Sequence, residues 1–264
     1  MDCLESKDWI FFNKGKANTL YRYIGNDSQF KDKLLRLRQS NQTITSKQVY
    51  EYIEDVVRPK LNQVIECDLV KVDFQVDGLL NDGFGLLIPN LIPLDSKIIK
   101  KEKYFTTFEN SNQFILELKP KWLDIGRACR NCAHHRYKHH EEPNFCALDL
   151  LDFDKIQNAV EIITDDHNVQ NTLINYFQSE ENILSKILKL QEIKKYDISK
   201  IKKESDITPD FTFSMTMRDV SVFIIIQDQK VSKIVVTDTD PKSTTKWKHW
   251  VSTEQTLIDN GFYK

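Results

Sequence analysis

Residues 114–121 read FILELKPK, and this stretch is the most informative part of the 264-residue chain. Its first five residues are rich in apolar side chains, which favours a buried strand. Pro120 ends that strand and stiffens the turn that follows, so Lys119 and Lys121 are aimed rather than mobile. Two ammonium groups held in this way suit a polyanion such as phosphate. The alternative is a solvated loop of like charges.

The segment that continues from this turn, residues 119–140, is strongly basic. It holds six lysines and arginines and four histidines against one acid, although the whole chain has a formal net charge of -2. Arg130, His134 and Lys138 are spaced four residues apart, which places them on one face of a helix. Like charges at that spacing repel unless an anion lies between them. RNA is one candidate, but aromatic side chains for base stacking are few here, so a compact polyphosphate fits better.

Three aspartates lie near strand ends later in the chain. Asp219 directly precedes the predicted strand 220–226, and Asp238 and Asp240 follow another β-rich segment. A lone aspartate at a strand end is usually a cap or turn residue, but hard oxygen ligands near phosphates indicate Mg²⁺. Polyphosphate, Mg²⁺ and a catalytic carboxylate are the equipment of phosphoryl transfer. Lys242 and Lys246 follow Asp238 and Asp240 and place cations beside these candidate metal ligands.

Cys129, Cys132 and Cys146 are grouped, with four histidines between them. Three thiols and a histidine form a zinc set in principle. A zinc ribbon would have a second close pair of cysteines, which this chain lacks. Free cysteines packed in a core are therefore favoured over zinc.

Composition excludes several classes of protein. The chain is 40% hydrophobic and 29% charged, which allows a proper core and argues against disorder. The first residues are charged where a signal peptide is apolar, and the longest apolar stretch, 222–226, is far shorter than a membrane helix. We therefore expect a soluble intracellular protein. No sequence repeat indicates a solenoid or propeller, and no Gly/Ser linker separates two halves.

The order of predicted elements is α+β. The first third is a small β-rich unit with strands at 9–12, 19–24, 33–38, 67–76, 85–88 and 114–118, and with a helix begun by Thr45 or Ser46. The rest is mixed, with helices at 152–163 and 169–195 and strands at 211–217, 220–226 and 233–237. A small sheet lobe followed by a larger mixed lobe is one arrangement that forms a ligand cleft.

Residues 117–121 (ELKPK) resemble the E-x-K-P-K signature of the inositol pentakisphosphate 2-kinase family. The resemblance covers almost the whole chain, in the family's order. Residues 14–18 (KGKAN) are similar to the family's nucleotide loop, 35–38 (LRLR) to its arginine strand and 86–90 (LLIPN) to the segment near its hinge. Residues 127–133 and 145–150 resemble the fungal branch. The two acidic segments of the family correspond to residues 215–221 and 238–242.

The resemblance implies a two-lobed inositol-phosphate kinase fold, distantly related to protein kinases. A nucleotide-binding N-lobe is expected at residues 1–118, and an inositide-binding and catalytic C-lobe at residues 119–264. The implied reaction transfers the γ-phosphoryl group of ATP, with Mg²⁺, to the 2-hydroxyl of inositol 1,3,4,5,6-pentakisphosphate and gives the hexakisphosphate. A monomer with no membrane partner and no direct nucleic-acid partner is expected, and the family suggests the nucleus.

Site residues follow from the same resemblance. Asp219 is the base facing the 2-hydroxyl, and Lys119 contacts the transferring phosphate. Asp238 holds Mg²⁺, with Asp240 as a second candidate. The expected ATP-binding residues are Gly15, Lys16, Asn18, Arg36 and Asn90. The expected inositide-binding residues are Lys121, Arg130, His134, Lys138, Lys242, Lys246 and Trp250.

Some positions depart from the family pattern. Leu123 stands where glycine is frequent, Lys246 where arginine is frequent, and Trp250 where tyrosine is usual. Cys146 and Asp149 occupy the places of two substrate contacts in plant relatives, so that contact is not carried over. The zinc ligands of the plant relatives lie elsewhere in the chain.

A non-catalytic protein that binds inositol phosphates or RNA is the alternative function. Asp219 and Asp238 favour the enzyme, because a binder gains nothing from acids beside a pocket of cations. A protein kinase is disfavoured, since the sequence has neither a His-Arg-Asp loop nor an Asp-Phe-Gly motif.

Overall fold

The computed structural model describes residues 6–123, 129–192 and 198–263. These residues form an α+β fold with two five-stranded antiparallel sheets, which confirms the predicted fold class. The chain divides into two compact units, Met1–Leu94 and Asp95–Lys264. The lobe boundary expected after Leu118 differs from this division, because the strands between residues 97 and 118 share a sheet with the last two strands of the chain.

The first unit is built on one sheet and one helix. Its strands are β1 (Trp9–Lys14), β2 (Asn18–Tyr23), β3 (Lys33–Arg38), β4 (Asp68–Lys71) and β5 (Phe84–Pro89), in the order β1-β2-β3-β5-β4. The strands predicted at 9–12 and 19–24 are β1 and β2, which pair antiparallel. Leu35 and Leu37 on β3 pack with Trp9, Val70 and Leu87 in its core. Helix α1 (Ser46–Tyr52) begins after Thr45, whose side chain accepts the N–H of Gln48, and continues as a π-helical turn, Ile53–Val57.

The second unit contains the other sheet. Its strands are β6 (Lys97–Lys101), β7 (Phe105–Glu109), β8 (Phe114–Leu118), β9 (Ser221–Gln227) and β10 (Lys230–Thr237), in the order β10-β9-β8-β7-β6. The central strands β8 and β9 are buried almost throughout, as their mostly apolar sequences predict. Their ends position the site described below.

The described residues of this unit also form six α-helices. They are α2 (Arg130–His139), α3 (Ile156–Ile163), α4 (His167–Phe177), α5 (Ile183–Gln191), α6 (Pro209–Met217) and α7 (Trp247–Asp259). The helix predicted over 169–195 is two helices, because Asn182 caps the start of α5 with its side chain. Within the described residues, no helix combines the length and the apolar character that crossing a membrane requires.

The prediction of a strand at 211–217 is wrong, since these residues belong to α6. Thr208 accepts the N–H of Phe211 and Pro209 occupies the first turn, and both features start a helix. The segment FTFSMTM alternates large and small side chains as a strand does. Every residue of α6 from Phe213 to Met217 is buried, so this part of the helix has no polar face and the helical period is absent.

Candidate functional site

Three chain segments meet at one edge of the second sheet. β8 runs antiparallel to β9 with Leu118 opposite Val222, so the residues after β8 lie beside the residues before β9. β9 and β10 form a hairpin with Ser221 opposite Thr237, so the residues after β10 reach the same edge. The strand register therefore brings together the KPK loop (residues 119–121), Asp219 and the segment 238–242.

Asp219 makes two ion pairs at this edge. Its Oδ1 lies 2.5 Å from Nζ of Lys121, and its Oδ2 lies 2.5 Å from Nζ of Lys242. Burial raises the pKa of Asp219, but the ammonium groups of Lys242 and Lys121 more than offset this and hold the pKa below its ordinary value. The side chain is thus a carboxylate at neutral pH. The predicted base lies between two cations that were predicted to bind an anionic substrate.

Lys119 faces a different acid. Its backbone N–H donates to the carbonyl of Tyr104 at 2.7 Å, which extends the pairing beside β7. Its ammonium lies 3.4 Å from Oε1 of Glu117, and its side chain is 42% exposed. A partly exposed ammonium with such a long ion pair can exchange the carboxylate for a phosphate oxygen.

The backbone of the KPK loop has an uncommon conformation at Lys121, where φ is +55°. A residue with a Cβ rarely adopts this left-handed region, so neighbouring groups must hold it there. Asn131 on α2 does part of this. Its side chain accepts the N–H of Trp122 and donates to the carbonyls of Pro120 and Trp122, at 3.1 and 2.9 Å.

Gln191, the last residue of α5, also holds the backbone of the KPK loop. Its side chain is buried, and the residue is 1% exposed. Its Nε2 donates to the carbonyl of Lys121 at 2.8 Å and to that of Met217 at 3.0 Å. Its Oε1 accepts the N–H of Leu123 at 2.8 Å. The amide therefore joins the KPK loop to the end of α6, two residues before Asp219.

Sequence reasoning missed both amides. Asn131 carries no distinctive signal, since it lies among charged neighbours on a short polar helix. Gln191 does carry one. It falls on the apolar stripe of α5, one helical turn after Ile187, where a polar residue must find buried partners.

Helix α2 presents the predicted basic face. The pKa of His134 is lowered to about 4 by burial, with Lys138 and Arg130 contributing, so the ring lies close to both and is neutral at pH 7. Arg130 is already engaged, because its Nε lies 2.7 Å from Oε2 of Glu254 and both side chains are mostly buried. Lys138 is exposed. Arg127 lies outside the described residues.

Two further inositide predictions fall on the start of α7. Lys246 is exposed immediately before the helix. Trp250 is 9% exposed and packs against Phe211, with ring centres 5.5 Å apart, in a cluster with Ile198 and Ile201. The structure thus places Lys246 at the surface and most of Trp250 in the core.

The predicted magnesium ligands lie at the same sheet edge as Asp219. Oδ2 of Asp238 accepts a hydrogen bond from Oγ of Ser221 at 3.0 Å, and the carbonyl of Asp240 accepts one from Thr216 at 3.3 Å. The three carboxylates do not gather within 4.8 Å of one another in the described residues. Mg²⁺ is commonly held by one or two carboxylates plus substrate phosphates, so Mg²⁺ at Asp238 stays a prediction.

The described cysteines of the second unit do gather. The Sγ atoms of Cys129, Cys132 and Cys146 lie within 4.8 Å of one another, with Cys129 and Cys146 3.5 Å apart. Sulfur ligands at about 2.3 Å from a tetrahedral Zn²⁺ are about 3.8 Å apart, so the spacing fits that ion. Hydrogen bonds from the other two thiols lower the pKa of Cys129. The three free thiols, of which Cys146 is buried and the other two are half-buried, form a grouping suited to a thiophilic metal.

The predicted nucleotide residues lie in the first unit. Gly15 closes the β1–β2 turn, since its N–H donates to the carbonyl of Asn18 at 2.8 Å, and Lys16 is exposed in this turn. Arg36 is buried on β3, and Asn90 follows β5 with its N–H bonded to the carbonyl of Asp32. Their role in binding ATP stays a prediction.

Arg38 is a neighbour that sequence reasoning did not single out. It is 4% exposed, and its guanidinium donates to Oδ1 of Asn18 at 3.0 Å and to the carbonyl of Ile44 at 3.1 Å. Asn18 is therefore held in place by β3. The signal was the alternation of residues 35–38, which gives the strand two arginines on one face.

Comparison with known proteins identifies the family of the chain. The family model for inositol-pentakisphosphate 2-kinase matches residues 11–256. The chain is 31% identical to the inositol-pentakisphosphate 2-kinase of Candida glabrata, covering 80% of this chain and 84% of that protein. It is 28% identical to that of Yarrowia lipolytica, covering 97% and 92%, and 28% identical to that of Saccharomyces cerevisiae, covering 85% and 86%. The chain belongs to the inositol-pentakisphosphate 2-kinase family.

Proposed function

We propose that this protein transfers the γ-phosphoryl group of ATP to the 2-hydroxyl of inositol 1,3,4,5,6-pentakisphosphate and forms inositol hexakisphosphate. The observation that carries the proposal is the position of Asp219, a carboxylate held between Lys121 and Lys242 at the sheet edge that also carries Lys119. The identity of the substrate is inferred from family membership. The role of Asp219 as the base is inferred from its position between two cations.

The transfer assigns one role to each of these groups. The 2-hydroxyl oxygen attacks the γ-phosphorus, its proton passes to the carboxylate of Asp219, and the bond from the γ-phosphorus to the β–γ bridging oxygen breaks to release ADP. Lys119 offsets charge on the transferring phosphoryl group. Lys121 and Lys242 exchange part of their contact with Asp219 for substrate phosphates. That exchange makes the carboxylate more basic when substrate is bound.

ATP and Mg²⁺ complete the proposal. Gly15, Lys16, Asn18, Arg36 and Asn90 are the residues proposed to bind the nucleotide. Asp238 is the residue proposed to hold Mg²⁺, with Asp240 as the second candidate, and the bound ion would neutralise phosphate charge. The carboxylate of Asp238 is a hard oxygen donor of the kind that Mg²⁺ prefers.

The deciding experiment is incubation of the purified protein with Mg-ATP and inositol 1,3,4,5,6-pentakisphosphate, followed by separation of the inositides. We expect hexakisphosphate and ADP in equal amounts. Asp219→Asn is the matched control, because it keeps the shape of the side chain and removes the base. A folded protein that binds pentakisphosphate and forms no hexakisphosphate would establish the non-catalytic binding protein instead.

We also propose that Cys129, Cys132 and Cys146 bind Zn²⁺. The support is the spacing of the three sulfur atoms and their position, since Cys129 and Cys132 bracket the first turn of α2, the helix with the basic face. An ion there would anchor that helix to the segment of Cys146. Its contribution would be structural, as for other thiolate-rich zinc sites.

Metal content tests this proposal independently of activity. Protein purified without chelator should contain one equivalent of zinc by mass spectrometry, and Cys132→Ser should lose most of it. Cys67→Ser is the control, because Cys67 lies in the first unit and interacts with Glu54. Wild-type protein that is folded and free of zinc, even after growth with added zinc, would refute the site.

A further inference from the structure

We propose that Gln191 is a positioning residue for phosphoryl transfer, because its side-chain amide fixes the KPK loop against the segment that carries Asp219. The inference rests on the proposed function and extends it to a buried residue, which is 1% exposed. Gln191 lies on α5, outside every motif that carries the family resemblance.

The amide uses both of its N–H groups, and each holds a different segment. One donates to the carbonyl of Lys121, and the other donates to the carbonyl of Met217. Lys121 supplies the ammonium of the ion pair and Asp219 follows Met217 by two residues. A single planar group thus sets the distance between the two backbone segments whose side chains form the pair.

The main chain of Gln191 adds to the same connection. Its carbonyl accepts a hydrogen bond from Oγ of Ser214 at 2.7 Å and another from Nη2 of Arg218 at 3.2 Å. The residue before Asp219 is therefore tied to α5 as well. In addition, Asp219 donates its own N–H to the carbonyl of Thr216 at 2.9 Å. This hydrogen bond connects the backbone of Asp219 to the end of α6.

The conformation of Lys121 shows why this support is needed. Its φ of +55° is unfavourable for a residue with a Cβ. The carbonyl of Lys121 is held by Gln191, whereas Asn131 holds only the residues on either side of it. Without the amide, Lys121 can relax towards ordinary backbone angles and swing its ammonium away from Asp219.

A purely structural role predicts something different. A buried amide that serves only the fold would lower stability when removed and would leave the Asp219 carboxylate unaffected. A positioning role predicts that Asp219 keeps Lys242 and loses Lys121 as a close neighbour. Since both ammonium groups lower the pKa of Asp219, losing one raises it.

Gln191→Met is the primary variant, because it keeps the length of the side chain and removes all three hydrogen bonds. Gln170→Met is the matched control. Gln170 is 6% exposed, and its amide bonds the carbonyl of Thr164 at 2.8 Å and the ring of His167 at 2.9 Å, all in the region of α4. Both variants remove a buried glutamine amide from the same unit.

Two quantities are measured, kcat with pentakisphosphate and the pKa of Asp219 in the free protein by carbon-13 NMR of the carboxyl group. We expect Gln191→Met to lower kcat by about 10- to 100-fold, as for a displacement near 1 Å, with the KM for ATP unchanged. The pKa of Asp219 should rise. Gln170→Met should lower the melting temperature and change neither quantity. In a Lys121→Met background, Gln191→Met should have little further effect on kcat, since the two act through one ion pair.

An unchanged pKa of Asp219 in folded Gln191→Met would overturn the inference, and so would additive losses in the Lys121→Met background. If Gln191→Met does not fold, Gln191→Glu keeps the shape and the acceptor and removes the donors. Failure of both to fold, while Gln170→Met folds, would show that the amide serves the fold alone. The NMR measurement needs no catalysis. A wild-type protein without kinase activity would therefore refute the proposed function. The pKa of Asp219 would still decide whether Gln191 positions Asp219 and Lys121.

Discussion

The guanidinium of Arg130 lies over the indole ring of Trp122, 3.9 Å from its centre. Arg218 lies over the same ring at 4.4 Å. Trp122 directly follows the KPK loop, and Arg218 directly precedes Asp219. Arg130 therefore stabilises the turn beside the site, in addition to lying on the basic face of α2.

Arg130→Gln should reduce both stability and inositide binding. It removes the stacking on Trp122 and leaves Glu254 without its mostly buried partner, so we expect the free energy of unfolding to fall by about 2 kcal/mol. Lys138→Gln, on the same helix face but exposed, should change stability by less than about 0.5 kcal/mol. Urea denaturation of both variants checks this, and equal losses of stability would contradict it.

Lys119→Ala and Asp219→Asn should affect chemistry far more than folding. Both side chains are substantially exposed, so the melting temperature should stay within a few degrees of the wild-type value. Removal of an electrostatic or general-base contribution should lower kcat by about 10² or more. Steady-state kinetics with pentakisphosphate provides the measurement. Turnover near the wild-type rate in either variant would show that its assigned role is wrong.

Reversal of charge at Lys138 should discriminate between the two substrates. A ligand with five phosphates carries far more negative charge than ATP, so Lys138→Glu should raise the KM for the inositide several-fold and leave the KM for ATP almost unchanged. Lys230→Glu is a suitable control, because Lys230 begins β10 at the opposite end of the hairpin from Asp238. Equal changes in both KM values would place Lys138 outside the inositide site.

His134 should make the fold sensitive to acid. Its pKa is lowered to about 4 in the folded protein by burial, Lys138, Arg130, Lys103 and His249, against an ordinary value of 6.5. The unfolded chain therefore binds a proton that the folded protein does not, and stability falls as the pH drops from about 6.5 towards 4. His134→Gln should lose less stability than the wild type between pH 7 and pH 5, as measured by denaturant titration. Parallel losses in the two proteins would assign the acid sensitivity to other groups.

The strands of the site were predictable because their apolar sequences match their buried positions in the centre of the sheet. Residues 114–118 and 220–226 are apolar apart from Glu117 and Ser221, and nearly continuous apolar runs are typical of central strands in a covered sheet. The lysines and aspartates at their ends could be identified for the same reason. Polar residues that directly follow a buried strand must lie at an edge of the sheet.

Other features depend on tertiary contacts that no local pattern records. Helix α6 lacks a polar face, so its sequence FTFSMTM predicts a strand until Thr208 is seen to cap it. The pairing of Lys121 with Asp219 depends on the register of β8 and β9, which is fixed by residues far apart in the sequence. The engagement of Arg130 by Glu254 likewise requires α2 and α7 to be adjacent. Spacing alone shows which charges share a helix face and cannot show which of them are already paired.

At Lys121, the left-handed backbone favours a residue that differs from the one that activity requires. A glycine there would adopt φ near +55° without penalty and, on backbone grounds alone, would stabilise the fold by about 1 kcal/mol. It would also delete the ammonium that pairs with Asp219. Asp238 presents the same conflict, since its φ is +59° and it is the residue proposed to hold the metal. Selection for heat resistance alone would therefore favour glycine at both positions and would abolish activity. Glycine at positions 121 and 238 should be left out of libraries designed to stabilise this protein.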